Sequence, residues 1–279
     1  MRAMVVLVDG EDRDPSAPAV APLDAGLLGH GVYESIRTYD GVPFGLAEHL
    51  DRLAQGAARL GIACPVEALT HEVRHAVALR DAVGESRIRL FLTAGGTRIA
   101  IADALPDRLH ERADGIAASI LPWRRDPAGP LTGVKASSTA AVRVAQRWLA
   151  DHDGGQTGIW VTPAGTVSEA LAANVFAVVD GVLCTPPLAD GPLAGVTRDK
   201  VLAYAAGAGM TVGEASITVE QLTSASEAFV SATSEPVVPL VRLDGAPIGD
   251  GVPGPVTRRL QRVYDDEARA SVSGANASG

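Results

Sequence analysis

The spacing of apolar and polar residues changes several times along the chain, and each change marks an element. Residues 3–10, AMVVLVDG, form an apolar run closed by Asp9-Gly10, a turn signal that predicts a first strand. GVYESIRTYDG is rich in β-branched and aromatic residues and ends in a second such pair, Asp40-Gly41. VPFGL follows, so 31–46 reads as a hairpin. GLAEHLDRLAQGAARLG then moves to helical spacing. Leu46, Leu50, Leu53, Ala57 and Leu60 share one stripe, Gly61 supplies the C-cap, and Arg52 lies well off the stripe. ESRIRLFLTAGG alternates as a strand does, with Ile88, Leu90 and Leu92 on one face and Arg87, Arg89, Phe91 and Thr93 on the other. Two arginines beside a phenylalanine on one strand face are unusual for plain solvent exposure.

The periodicity lapses at 121–133, LPWRRDPAGPLTG, which holds three prolines and two glycines. This stretch reads as a linker between an N-terminal domain of residues 1–120 and a C-terminal domain of residues 134–270. Beyond it the pattern predicts a helix near 138–151, a strand at 157–162, and a hairpin in NVFAVVDGVLCTPP turning at Asp180-Gly181. TRDKVLAYAAGAGM is a helix and SEAFVSAT leads into a strand. GPVTRRLQRVYDDEAR is a terminal helix with Pro255 near its start and Val256, Leu260, Val263 and Tyr264 on its apolar stripe. The tail 271–279, SVSGANASG, is expected to be disordered.

Composition narrows the classes. Hydrophobic residues make up 47% and charged residues 20% of 279 positions, as in a globular chain. No run of 18 apolar residues predicts a membrane span, and MRAMVVLVDGEDRD is a poor signal peptide, so a cytoplasmic protein is expected. A net charge of -9 without a basic patch beyond RRLQR disfavours nucleic acid as a partner. Cys64 and Cys184 form no CxxC, so neither a disulfide framework nor a zinc site is expected. Three motifs mislead. GDGVPG at 249–254 matches GxGxxG but contains Pro253 and has no βαβ unit around it. His71 and His75 stand at helical i, i+4 spacing without a third ligand, so no metal is expected. The sequon Asn276-Ala277-Ser278 matters only in a secreted chain.

Four segments carry candidate chemistry: DAGLLGHGVYESIRTYDGVPFGLAEHLDRL, GVKASS, GTVSEALAANVFAVVDGVLCTPPLADGPLAGVTRDKVL and EAFVSATSEPVVPLVRLDGAPIGDGVPGPVTRRLQ. Taken singly, their residues have plain readings. Lys135, the only lysine before Lys200, could be a solvated residue ahead of a helix, Arg52 a surface arginine, and Glu169 a turn residue. Together, over residues 3–268 and in this order and spacing, they resemble the class IV (fold-type IV) pyridoxal-phosphate-dependent aminotransferases.

The resemblance implies an α+β fold with a small N-terminal domain, a larger C-terminal domain on a barrel-like sheet, and the cofactor cleft between them. It implies Lys135 as the Schiff-base lysine and catalytic residue, and Glu169 as the carboxylate that keeps the pyridine nitrogen of pyridoxal 5′-phosphate protonated. Arg52, Val196, Thr197 and Thr233 would hold the phosphate, Val196 and Thr197 at a helix N-terminus that offers free N–H groups. Many relatives have a tyrosine four or five residues after the lysine; Thr139 and Ala140 stand there instead. Substrate residues would be Tyr33, which lines the pocket, and Arg89 or Arg98, either able to grip a carboxylate or to serve a structural ion pair. The wording YESIR points to a transaminase of D-amino acids, with (R)-amines as further donors. Aminodeoxychorismate lyase is the alternative, and branched-chain amino acid aminotransferase a second one. Amino acids and keto acids would be the small-molecule partners, and family members are homodimers.

Overall fold

Asp-Gly pairs punctuate the chain where the pattern places them. β1 (Val5–Val8) and β2 (Glu11–Asp12) turn at Asp9-Gly10, and β3 (Gly31–Tyr39) and β4 (Val42–Pro43) at Asp40-Gly41. Both residues of each pair have positive φ, at 51° and 85° in the first and 51° and 77° in the second. This turn matches the twist of a two-residue hairpin, and glycine enters it without a Cβ penalty. The coordinates are a computed structural model, and the structure describes residues 4–17, 24–80, 84–152 and 155–277.

The chain divides into two compact units. Unit 1 gathers Met1–Asp107, Val134–Thr139 and Ala268–Gly279; unit 2 gathers Arg108–Gly133 and Ala140–Glu267. In unit 1, α1 (Leu46–Arg59), α2 (Val66–Leu79), β5 (Ser86–Thr93) and β6 (Arg98–Ala104) follow the first hairpins. The described strands form one antiparallel sheet, ordered β2-β1-β6-β5-β3-β4. Its apolar face, including Val32, Ile36, Ile88 and Leu90, packs on Leu50 and Leu53 of α1 and Leu69 and Val73 of α2. Each such side chain contributes roughly 1.5–3 kcal/mol on burial. Strand alternation turns Tyr33, Ser35, Arg37, Arg87, Arg89 and Phe91 to the other face, away from both helices.

Unit 2 begins with α3 (Leu109–Asp114) and β7 (Ile116–Arg124), and continues with α4 (Ala140–Asp151), β8 (Thr157–Val161), β9 (Val167–Ala170), β10 (Asn174–Val179) and β11 (Val182–Thr185). Then come α5 (Val196–Gly207), β12 (Val212–Glu214), α6 (Val219–Thr223), β13 (Glu227–Ser231), β14 (Val238–Leu243), β15 (Ala246–Pro247) and α7 (Pro255–Ala277). The sheet order is β12-β11-β10-β13-β14-β7-β8-β9, with β15 on β14. Pairings are mixed: β7 is parallel to both β8 and β14. The sheet curls around a core holding Ile116, Ile159, Val175, Val230 and Leu240, and the chain is an α+β protein. No helix among the described residues is long and apolar enough to cross a membrane.

Four expected boundaries move, the first being the end of the N-terminal domain, expected at 120, since Arg108–Gly133 belong to unit 2. The linker expected at 121–133 starts inside β7, where Leu121 is buried with Ala145, Leu149 and Trp160. Its Pro122 falls where the β7–β8 register breaks between Ile120 and Arg124, a position that tolerates a missing N–H donor. The C-terminal domain does not begin at 134, because Val134–Thr139 belong to unit 1, with Val134 in its core. The tail expected to be disordered from 271 is helical through Ala277, because Ala268 and Val272 continue the buried stripe of Leu260 and Tyr264. Residues 278–279 of that tail lie outside the described residues.

Candidate active site

Lys135 is seated by backbone pairing. The Tyr33 N–H donates to the Lys135 carbonyl at 3.0 Å, the Ser137 N–H donates to the Gly31 carbonyl at 2.9 Å, and Val32 and Ala136 form an antiparallel bridge. The segment therefore lies along β3, with Lys135 directly opposite Tyr33. Val134 anchors it from the apolar side. The half-buried Lys135 projects its Nζ over the Tyr33 ring, 4.5 Å from the centroid, and Tyr33 stacks on Phe91 at 5.7 Å. Such a ring face attracts a cationic group and restrains the swing of the side chain.

The face that carries Tyr33 also carries Arg89, which pairs across from Ser35. Arg89 donates through Nη2 to Asp103 at 3.0 Å, and the same carboxylate takes both Nε and Nη2 of Arg87, at 3.1 and 2.7 Å. One carboxylate thus serves two guanidinium groups, and the buried Nε of Arg89 has no hydrogen-bond partner among the described residues. A further carboxylate would suit that donor. Arg98 goes elsewhere. It shares the helix-side parity of Ala100 and Ala102, its Nε donates to Glu72 of α2 at 2.8 Å, and Nη1 lies 3.6 Å from Asp9. The two arginines that sequence reasoning paired as candidates sit on opposite faces of one sheet, and only Arg89 shares Tyr33's.

Arg52 is held beside this sheet by Glu34. Its Nε donates to Glu34 Oε1 at 2.7 Å and its Nη2 to Oε2 at 2.8 Å; His49 Nδ1 lies 2.9 Å from the same Oε2. Glu34 is 0% exposed. Burial alone would raise its pKa, but the hydrogen bond from His49 and the charge and hydrogen bonds of Arg52 outweigh it and hold Glu34 down to about 2. Burial pushes His49 below its ordinary value, helped by the charges of Arg52 and Lys135 and opposed by Glu34. His49 and Gly56 widen the buried sector of α1 beyond the leucine stripe, so Arg52 stands at its margin rather than well off it.

Within unit 2 the remaining candidates gather around the start of β10. Glu169, 8% exposed on β9, accepts the Leu193 N–H at 2.8 Å and pairs with Arg125 Nη1 at 2.8 Å. Asn174 donates through Nδ2 to the Leu193 carbonyl at 2.8 Å. Gly195, the N-cap of α5, presses so close to Asn174 that an added Cβ would lie 2.0 Å from its Oδ1. Among the described residues no side chain caps α5, whose first residues, Val196 and Thr197, are buried. On the neighbouring strand Ser231 pairs with Asn174, and its buried hydroxyl has no hydrogen-bond partner among the described residues. Thr233 is half-buried two residues on, in a bend closed by Ala232 N–H to the Glu235 carbonyl at 3.2 Å. An uncapped helix start, an orphan hydroxyl and a paired carboxylate make a fitting set for a ligand with an anionic and a cationic end.

Sequence reasoning missed Glu34, His49 and Arg125. Two of them left a signal: Glu34 interrupts the apolar parity of Val32 and Ile36, and His49 falls on the buried side of α1. Arg125 left none within its proline-rich surroundings.

The sequence profile of the family Amino-transferase class IV matches residues 31–243. The chain is 34% identical over 281 residues to a putative branched-chain-amino-acid aminotransferase of Methanocaldococcus jannaschii, covering 94% of this chain and 96% of that one. It is 29% identical to D-alanine aminotransferase of Staphylococcus haemolyticus, over 95% of this chain and 99% of the other. The crystal structure of Escherichia coli branched-chain amino acid aminotransferase superposes with a TM-score of 0.85 at 28% identity, covering 96% of each chain. The chain belongs to the class IV aminotransferases, enzymes whose cofactor is pyridoxal 5′-phosphate.

Proposed function

We propose that this chain is a transaminase of α-amino acids in which Lys135 supplies the amine that joins the cofactor and moves the substrate's α-proton. The observation that carries the reading is the seating of Lys135: one of two lysines in 279 residues, fixed by backbone pairing opposite Tyr33 and set over its ring. Pyridoxal phosphate, when bound, supplies a sink for the electrons released at the substrate's α-carbon.

The chain's own residues do the rest. Lys135 Nζ takes the proton from the α-carbon and returns it, restrained by the Tyr33 ring. Glu169, oriented by Arg125 and the Leu193 N–H, presents a negative charge to the protonated ring nitrogen. Val196 and Thr197 at the start of α5, Thr233, and Arg52 bind the phosphate. Arg89 binds the substrate carboxylate with the donor that Asp103 leaves unused. The same reading expects a cytoplasmic homodimer.

The choice of donor divides on Arg98. The D-amino acid reading rests on YESIR and on likeness to D-alanine aminotransferases, and it looks to Arg98 for the carboxylate. Engagement of Arg98 by Glu72 and Asp9 on the helix side favours the branched-chain reading, with Arg89 as the grip, and the 34% relative favours it too. A donor panel of L-leucine, D-alanine, (R)-phenylethylamine and aminodeoxychorismate, assayed for keto product or pyruvate, tests this. L-leucine turnover exceeding D-alanine turnover supports the branched-chain reading, and the reverse restores the D-amino acid one. Formation of 4-aminobenzoate would replace both with a lyase. Borohydride reduction of the loaded protein should fix a pyridoxyl group on the peptide bearing Lys135; its absence would sink the reading at its root.

A further inference from the structure

The cluster of Glu34, His49 and Arg52 is more elaborate than a helix-on-sheet contact needs. Position 34 lies between Val32 and Ile36 on the apolar face of β3, where an aliphatic residue would simply join the core. Burying a carboxylate there costs several kcal/mol unless its partners are well placed, and replacing a buried ion pair with apolar residues is often neutral or stabilising. Stability alone therefore does not account for the charge.

The geometry does. The two-point fork from Arg52 to Glu34 fixes the plane of the guanidinium, since both Nε and Nη2 are engaged at 2.7 and 2.8 Å. His49 Nδ1, 2.9 Å from Oε2, stops the carboxylate from turning. With Glu34 ionised, that nitrogen carries the ring proton and donates it. The fork leaves Nη1 outside the Glu34 contact, and the Arg52 side chain is still 12% exposed while its partner is fully enclosed.

We propose that Glu34, backed by His49, is a positioning residue that aims the guanidinium of Arg52 at the cofactor's phosphate, so that Arg52 contributes phosphate affinity only while the fork is intact. This rests on the reading of Arg52 as a phosphate ligand.

The test compares pyridoxal phosphate with pyridoxal, which lacks the phosphate, in binding to the apoprotein by fluorescence quenching. Inorganic phosphate, read by its effect on the melting temperature, serves as a third probe. Glu34→Asp keeps the charge but withdraws the carboxylate by one methylene and breaks the fork. It should weaken pyridoxal phosphate about 10- to 100-fold, change pyridoxal less than about 3-fold, and abolish the stabilisation by inorganic phosphate. Arg52→Lys should do the same, and the double variant should be no worse than Arg52→Lys alone, because Glu34 acts through Arg52. If Glu34→Asp does not fold, His49→Phe, which removes the imidazole donor to Oε2 and leaves the Arg52 fork, should give the same phosphate-selective loss at a few-fold size. Equal weakening of both ligands, or wild-type binding of both, would overturn the proposal and leave Glu34 a structural ion-pair partner. If Arg52→Lys itself binds pyridoxal phosphate normally, the reading of Arg52 fails first, which keeps the two failures apart.

Discussion

Glu34 and Glu169 are both buried carboxylates, one in each unit, and they are satisfied in different ways. Glu34 is fully enclosed and takes three side-chain nitrogen contacts from two neighbours on one helix. Glu169 keeps some exposure, and its partners include the backbone N–H of Leu193 and the side chain of Arg125, just past the end of β7. The first arrangement commits the carboxylate to orienting another group. The second fixes a carboxylate with backbone as well as side chain, as the proposed contact to the cofactor ring would need. A buried charge is thus a poor guide to role until its partners are counted.

The sharpest way to break this comparison is to delete each carboxylate. Glu34→Ala should lose about 3–5 kcal/mol of stability in urea unfolding, because Arg52 and His49 lose the buried carboxylate their donors share. Glu169→Ala should unfold near the wild-type midpoint and yet lose at least about 100-fold in kcat. An intact fold in the first variant with an unstable one in the second would reverse the assignment of roles.

Acid should find the same difference. Glu34 has a folded pKa held near 2 against an ordinary 4.5, so its contribution is complete above 4.5 and is lost as pH falls toward 2. This amounts to about 3 kcal/mol. His49, lowered from 6.5, is neutral in the fold, and the unfolded chain binds that proton first, so stability declines from 6.5 downward as well. Urea midpoints at pH 7, 5 and 3 should fall in order, and Glu34→Gln should flatten the lower step. A flat wild-type profile between 4.5 and 2 would contradict an ionised Glu34.

Backbone-built binding is tested by Gly195→Ala. The new Cβ would meet Asn174 and displace the start of α5, costing about 1–3 kcal/mol and weakening pyridoxal phosphate. Unchanged cofactor affinity would remove that helix start from the phosphate site.

The smallest effect separates the two arginines. Arg89→Gln should raise KM for an amino acid donor about 10-fold or more. Arg98→Gln should change KM less than about 3-fold and cost about 1–3 kcal/mol of stability through Glu72. The opposite ranking would return Arg98 to the substrate.

Much of this was legible in the chain. Period-2 and period-3.6 patterns predicted β3, α1 and β5 because each buries a single face, and Asp-Gly pairs predicted three turns; a fourth, Asp244-Gly245, joins β14 to β15. Lys135, Glu169 and the α5 start were singled out as candidates through their spacing to neighbouring motifs. The linker was misread because Pro122 and its neighbours look like punctuation, whereas a register break in a parallel pair accommodates them. Arg98 was misplaced because alternation reveals which strand residues share a face, but not which face a helix will cover. Burial of Glu34 could be suspected from its parity; its grip on Arg52 joins β3 to α1, and no local pattern encodes such a pairing.

The pairing of Val134–Thr139 with β3 also bears on how the protein is made. Tyr33 must wait for a partner about a hundred residues downstream, so the contact closes a long loop and raises the contact order of the native state. During synthesis, the sheet of the first hundred residues can assemble while Lys135 is still inside the ribosome. Acquisition of the yellow chromophore should therefore report one of the last steps of maturation rather than the first.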